Sequence, residues 1–207
     1  MRCLVPVAVD SPKSRLAAVL SPSERQAFAR AMLADVLATL AAADCQPTVL
    51  ATAPIDDDRI TSRATIAVDD RPLTAAINDR LEDGEPTLIV MADLPLIEPA
   101  DIRWLTDSDA DVTIAPGLGG GTNALAIREP SFRVDYHGAS YLDHCRAADE
   151  VGATIETIDS RRLATDVDEP ADLAEILIHG EGRAVEWLTE IGFELDTTGG
   201  RVGVTRE

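Results

Sequence analysis

"PTLIVMADLPLI", residues 86–97, decides the fold. Its opening half is apolar at successive positions instead of alternating, so a strand built from it must be covered on both faces. That is the situation of a central strand in a parallel sheet enclosed by helices. Extended chain is therefore predicted across 86–97. The polar break in the run is Asp93, with Pro95 turning the chain away two residues later. An aspartate at the end of a buried central strand stands in the crevice where open α/β sheets bind ligands. There it is either a hard oxygen ligand for a cation such as Mg2+ or a turn residue capping the Leu94–Leu96 segment.

Working outward from this strand, helices and strands alternate. On the amino-terminal side, "CLVPVAV" (3–9) is a short β-branched run followed by a long polar loop. Ser21, Pro22 and Glu24 then form a capping box with proline at the first helical position, ahead of apolar Phe28, Met32, Val36, Leu37 and Leu40. Residues 47–53 and 64–70 read as strands, and 73–83 as a helix ended by Gly84. On the carboxyl-terminal side come a helix opened by Pro99, the strand "DVTIAP", a glycine-rich loop and the strand "NALAIRE". After these come the helix "ASYLDHCRAADEVG", the strand "TIETID" and the helix "EPADLAEILIHG" ended by Gly180. This rhythm predicts an α/β fold, a three-layer α/β/α sandwich with a mainly parallel sheet. Residues 1–180 form that domain. Residues 181–207 break the rhythm with a helix around Trp187 and Leu188 and a small hairpin around Gly199 and Gly200, read as a carboxyl-terminal appendage packed on the main domain.

Composition narrows the function. The chain has 207 residues, enough for one sizeable core. Its 37 Asp and Glu outnumber 18 Lys and Arg, for a formal charge of −19, and Lys13 is the sole lysine. A dispersed acidic excess of this kind suits a cytoplasm of concentrated salt, where screening shortens repulsion. It offers no basic stripe for nucleic acid and no acidic block for a polycation. Cys3, Cys45 and Cys145 are odd in number and widely spaced, which fits free thiols in a reducing cytosol better than zinc ligands or a disulfide frame. No apolar run has the length of a signal peptide or a membrane span, so the expected location is cytoplasmic.

Four patches besides Asp93 carry possible chemistry. Lys13 and Arg15 follow the first strand, where a phosphate-bearing ligand would lie. A compact ammonium beside a forked guanidinium suits a triphosphate, and a chain that has lost every other lysine keeps one where arginine's planar head fails. The rival reading is a pair of ordinary surface cations. Asp166 and Asp168, two apart in "ATDVDEP", share one face if the segment is extended. Asp168 is then either a second carboxylate for the Asp93 cation or a cap for the helix begun by "EP". In "GLGGGTNAL" the glycines let backbone amides approach an anion, with Thr122 and Asn123 adding donors; a flexible hairpin tip looks the same. Gly138 and Ser140 open a helix, a natural place for phosphate or carboxylate. His144, one turn further on, reads as structural.

Taken together, "KSRL", "MADLPLI", "GGTNAL", "HGASY" and "TDVDEPADL" resemble the 2-phospholactate guanylyltransferase family, enzymes of deazaflavin coenzyme F-420 biosynthesis, over roughly residues 3–178. The resemblance implies the nucleotidyltransferase (nucleotide-diphospho-sugar transferase-like) version of the α/β sandwich. It implies transfer of GMP from GTP to the phosphate of 2-phospho-L-lactate, or of the related phosphoenolpyruvate, with release of pyrophosphate. It assigns Lys13 and Arg15 to the GTP phosphates and Asp93 and Asp168 to Mg2+. Thr122, Gly138 and Ser140 become the cradle of the acceptor, and a homodimer is expected. The chain departs from the family pattern at Ala8, where relatives often carry a lysine, and at "PLT" (72–74), where many have "GLN". Two rivals stand beside it: a nucleotidyltransferase for another acceptor such as a molybdopterin or a sugar phosphate, and a catalytically silent nucleotide-binding regulatory module.

Overall fold

The computed structural model describes residues 1–200 and 202–206. Its main sheet has seven strands in the order β3-β2-β1-β4-β6-β5-β7. They are β1 (Arg2–Val7), β2 (Pro47–Ala51), β3 (Thr65–Val68), β4 (Thr87–Val90), β5 (Val112–Pro116), β6 (Thr122–Ile127) and β7 (Ile155–Thr157). β6 runs antiparallel to its neighbours β4 and β5, and the remaining pairings are parallel. The sheet is thus mainly parallel, with helices α1 (Pro22–Ala42), α2 (Asp58–Thr61), α3 (Leu73–Leu81), α4 (Pro99–Thr106) and α5 (Ser140–Glu150) placed between strands along the chain and α6 (Arg161–Ala164) following β7.

Alternation along each strand divides the core between two faces. On one, Cys3, Val5, Leu88 and Val90 pack with Leu33, Leu37 and Leu40 of α1 and with Ile102 of α4. On the other, Leu4, Ile89, Ile114 and Leu125 pack with Ile77 of α3 and Ala148 of α5. The capping box of α1 forms as the sequence requires: the Glu24 amide donates to Ser21 Oγ at 3.4 Å, and the Ser21 amide donates to Glu24 Oε2 at 2.8 Å.

A third cluster joins Leu16, Phe28 and Met32 to α7 (Leu173–His179), α8 (Arg183–Glu190) and the hairpin of β8 (Phe193–Asp196) and β9 (Gly203–Arg206). Phe28 stacks on Trp187 with ring centroids 5.4 Å apart. Asp35 of α1 accepts the amides of Arg183 and Ala184, each at 2.8 Å, and so caps α8 from a distant part of the chain. No helix among the described residues is long and apolar enough to cross a membrane.

The strand expected over 86–97 is shorter than its apolar run. β4 ends at Val90, and Leu94, Leu96 and Ile97 are buried in an irregular turn. Apolarity there records packing of a loop, because Pro95 cannot donate to a sheet ladder. The loop after β1 also contains an unexpected single 3-10 turn, Ser14–Ala18.

Candidate active site

Strand order reverses between β1 and β4, which lie side by side. The crevice beyond their carboxyl ends is where such sheets receive ligands. Here it is a cleft of about 630 Å3, lined by Ala8, Lys13, Arg15, Asp93 and Asp168 and, toward its far end, by Leu73.

Two backbone connections assemble the charged wall. The Met91 amide donates to the Asn123 carbonyl at 3.0 Å, which carries the chain past the end of β4 beside β6. The Val167 amide then donates to the Asp93 carbonyl at 3.1 Å, so the segment holding Asp166 and Asp168 lies directly against Asp93. Lys13 reaches both carboxylates. Its Nζ is 2.5 Å from Asp93 Oδ2 and 2.8 Å from Asp168 Oδ1, with only 11% of the side chain exposed. Burial opposes its charge, but Asp93 and Asp168 outweigh that and raise its pKa. Arg15 approaches from solvent, 67% exposed, and its Nη1 lies 3.1 Å from Asp168 Oδ2. The backbone at Lys13 is left-handed (φ 54°, ψ 46°), an uncommon conformation for a residue with a long side chain.

These contacts bear on the alternatives. Lys13 and Arg15 both engage Asp168, Lys13 from a nearly enclosed position and Arg15 from the surface. Asp168 does not cap the helix that follows. That role belongs to Asp172, whose Oδ2 accepts the amides of Asp168 at 2.9 Å and Glu169 at 2.7 Å. The Asp168 side chain is left for the two cations.

Asp166 joins the wall from one side. Asn123 Nδ2 donates to Asp166 Oδ1 at 3.0 Å and to the Leu163 carbonyl at 2.9 Å. Burial raises the pKa of Asp166 from its ordinary value, Asn123 pulls it back, and the charges of Asp93 and Asp168 add to the rise. Gly117 must stay small for this, because a Cβ there would stand 2.7 Å from Asn123 Oδ1. The i, i+2 spacing of Asp166 and Asp168 was the signal for its placement.

A second cleft, about 590 Å3, opens on the other side of Asp166 and Asp168, and Arg15, Gly121, Asn123 and Gly138 also line it. Of the three residues expected to cradle an acceptor, Gly138 (φ +49°) is on its wall. Thr122 and Ser140 are buried behind it. Thr122 precedes Asn123 on β6, so the two side chains leave opposite faces of the strand and only Asn123 faces the carboxylates. The Thr122 hydroxyl instead meets His144 Nδ1 at 2.9 Å. Because the Asp135 amide donates to His144 Nε2 at 3.0 Å, the ring's proton is on Nδ1 and is donated to Thr122. Burial lowers the His144 pKa to about 4, and the ring is a neutral structural element.

At the far end of the first cleft, Arg71 is clamped by Asp69, with Nε to Oδ1 2.8 Å and Nη2 to Oδ2 2.7 Å. The Thr74 hydroxyl accepts the Tyr136 amide at 3.1 Å, so the departure from "GLN" at 72–74 puts a structural contact there.

The donor set suits a magnesium ion. Two carboxylates already converge on one positive charge, a third is alongside, and the neighbouring cleft has room for phosphates to complete the shell, which is how Mg2+ is usually held at nucleotides. Among the described residues no three His, Cys, Asp or Glu side chains are gathered as a ready-made metal cage.

A mainly parallel seven-stranded sheet in this order is the fold of the nucleotide-diphospho-sugar transferase structures. A structure from Desulfovibrio desulfuricans G20, named for a nucleotide-diphospho-sugar transferase, superposes with a TM-score of 0.72 at 16% identity, covering 92% of this chain and 95% of that one. The sequence signature described as "Guanylyl transferase CofC like" matches residues 1–206. The 2-phospho-L-lactate guanylyltransferase of Halorubrum lacusprofundi is 56% identical over 100% of both chains. That of Haloarcula marismortui is 52% identical over 100% of this chain and 99% of its own. The chain belongs to the CofC-like guanylyl transferase family, a class of nucleotidyltransferase that commonly uses a divalent metal.

Proposed function

We infer that this protein is a 2-phospho-L-lactate guanylyltransferase of F420 biosynthesis, transferring GMP from GTP to the acceptor's phosphate and releasing pyrophosphate. The observation that carries the residue assignment is the meeting of Lys13, Asp93 and Asp168 on the wall of the first cleft, with Asp168 lining the second as well.

The acceptor phosphate is already anionic near neutral pH, so the reaction needs no general base. Its barrier lies in bringing anions together and stabilising charge on the leaving group. In this reading GTP occupies the first cleft and the acceptor the second, on either side of Asp168. Lys13 balances Asp93 and Asp168 and lines the first cleft, where its ammonium would meet a triphosphate. Arg15, exposed and within reach of both clefts, holds phosphate oxygens. Asn123 fixes the Asp166 carboxylate, and Gly138 lets the acceptor approach the backbone closely. Thr122 and Ser140 support this cradle from behind. Mg2+ held by Asp93 and Asp168 would withdraw charge from the α-phosphate. The family resemblance also supports a homodimer, read directly by light scattering.

The test is pyrophosphate release with a panel of nucleotides against 2-phospho-L-lactate, phosphoenolpyruvate and a sugar phosphate at high salt. GTP with 2-phospho-L-lactate is expected to lead, and Asp93→Asn to cut turnover by about 100-fold or more without changing the thermal midpoint greatly. Wild-type turnover in that variant would remove Asp93 from the metal site. A silent regulatory module would release no pyrophosphate with any pair.

A further inference from the structure

We infer that Arg161 receives the carboxylate of the acceptor, and that Glu175 holds it in place until the acceptor arrives; this rests on the reading of the second cleft as the acceptor site.

The charge of that cleft calls for such a residue. Five carboxylates line it against two arginines, Arg15 and Arg161. The acceptor brings a phosphate and a carboxylate, both anionic near neutral pH, into this acidic surrounding. Arg15 is already directed to Asp168, at the wall shared with the nucleotide cleft. Arg161 is therefore the lining cation left for the acceptor's other end.

Its setting is built for exchange. Arg161 opens α6, whose position is fixed from two sides: Ser160 Oγ donates to buried Asp101 at 2.6 Å, and the Leu118 amide of the glycine loop donates to the Ala164 carbonyl at 3.0 Å. The next residue, Arg162, turns away to the Leu96 carbonyl and Glu98. The Arg161 side chain is 63% exposed, and the ion pair it makes among the described residues is with Glu175 of α7. An exposed ion pair contributes little, so the guanidinium can exchange one carboxylate for another at small cost. Its planar fork suits a carboxylate in two-point contact. A rigid base and a loosely held head are what a substrate-binding arginine needs.

Steady-state kinetics separates the roles. In Arg161→Gln the KM for 2-phospho-L-lactate is expected to rise at least 10-fold while the KM for GTP stays within about 2-fold, with Arg161→Lys between the two. Glu175→Gln, which removes the competing carboxylate, should lower the acceptor KM. Isopropyl phosphate, which lacks the carboxylate, should inhibit wild type and Arg161→Gln equally. An unchanged acceptor KM in Arg161→Gln, an equal rise for both substrates, or weaker inhibition by isopropyl phosphate in the variant would overturn the assignment. Wild-type enzyme inactive with GTP and 2-phospho-L-lactate would instead overturn the functional reading. Calorimetric binding of 2-phospho-L-lactate would then decide on Arg161 alone, and equal affinity in wild type and variant would exclude it.

Discussion

Lys13 touches two carboxylates with one nitrogen from an almost enclosed position, which an ammonium can do and a broad guanidinium cannot without displacing the wall. Lys13→Arg keeps the charge and changes only the shape. Turnover is expected to fall by roughly 100-fold, the cost of misplacing a reacting group by about 1 Å, and unchanged turnover would make the lone lysine incidental. His144 gives a prediction of another kind. Its folded-state pKa of about 4 lies below the ordinary value of 6.5, so the stability it contributes is present above pH 6.5 and lost as pH falls through about 4. The loss amounts to at most about 3 kcal/mol. The urea midpoint of wild type should therefore drop more between pH 7 and pH 4 than that of His144→Gln. The residues of the charged wall could be read from position alone, since Asp93 is the polar break in the central apolar run and Lys13 follows the first strand. Thr122 could not be placed that way, because its face depends on the starting phase of β6, and one residue of phase exchanges it with Asn123.

Among the elements, those fixed by local chemistry were legible. The Ser21–Glu24 box starts α1 and Pro99 starts α4 as their sequences require. What depends on distant partners was not. The apolar run 86–97 divides into strand and turn because the chain beyond Val90 bonds to Asn123 and Val167 instead of continuing a ladder. The start of α8 is similarly invisible in its own sequence. Gly182 supplies no side-chain cap, and the acceptor is Asp35, 148 residues before Arg183. Removing that acceptor should fray α8 and loosen the Phe28–Trp187 stack. Asp35→Ala is expected to cost about 1–3 kcal/mol in urea unfolding, with Asp35→Asn recovering part of it, since an amide oxygen still accepts. Equal stability of Asp35→Ala and wild type would show that α8 holds its place by apolar packing alone.

On the scale of the molecule, the layer architecture and parallel sheet follow from the alternation of elements, whereas the reversed strand β6 follows from none of the local patterns. The net charge of −19 acts across this whole surface. The screening length falls from about 10 Å at 0.1 M salt to about 3 Å at 1 M. Thermal midpoints are accordingly expected to rise steadily from 0.1 M to 2 M KCl, and a flat profile would mean that the acidic surface is neutral toward stability.

Arg15 and Asp168 belong to both clefts. With GTP and the acceptor placed in the two clefts as proposed, two substrates would enter as separate molecules, the joined product would span the partition in one piece, and pyrophosphate would leave from the nucleotide side alone. Such a product resembles a tethered bivalent ligand, each half raising the local concentration of the other. In that reading the product is expected to leave more slowly than pyrophosphate, which inhibition of the initial rate by added product would reveal.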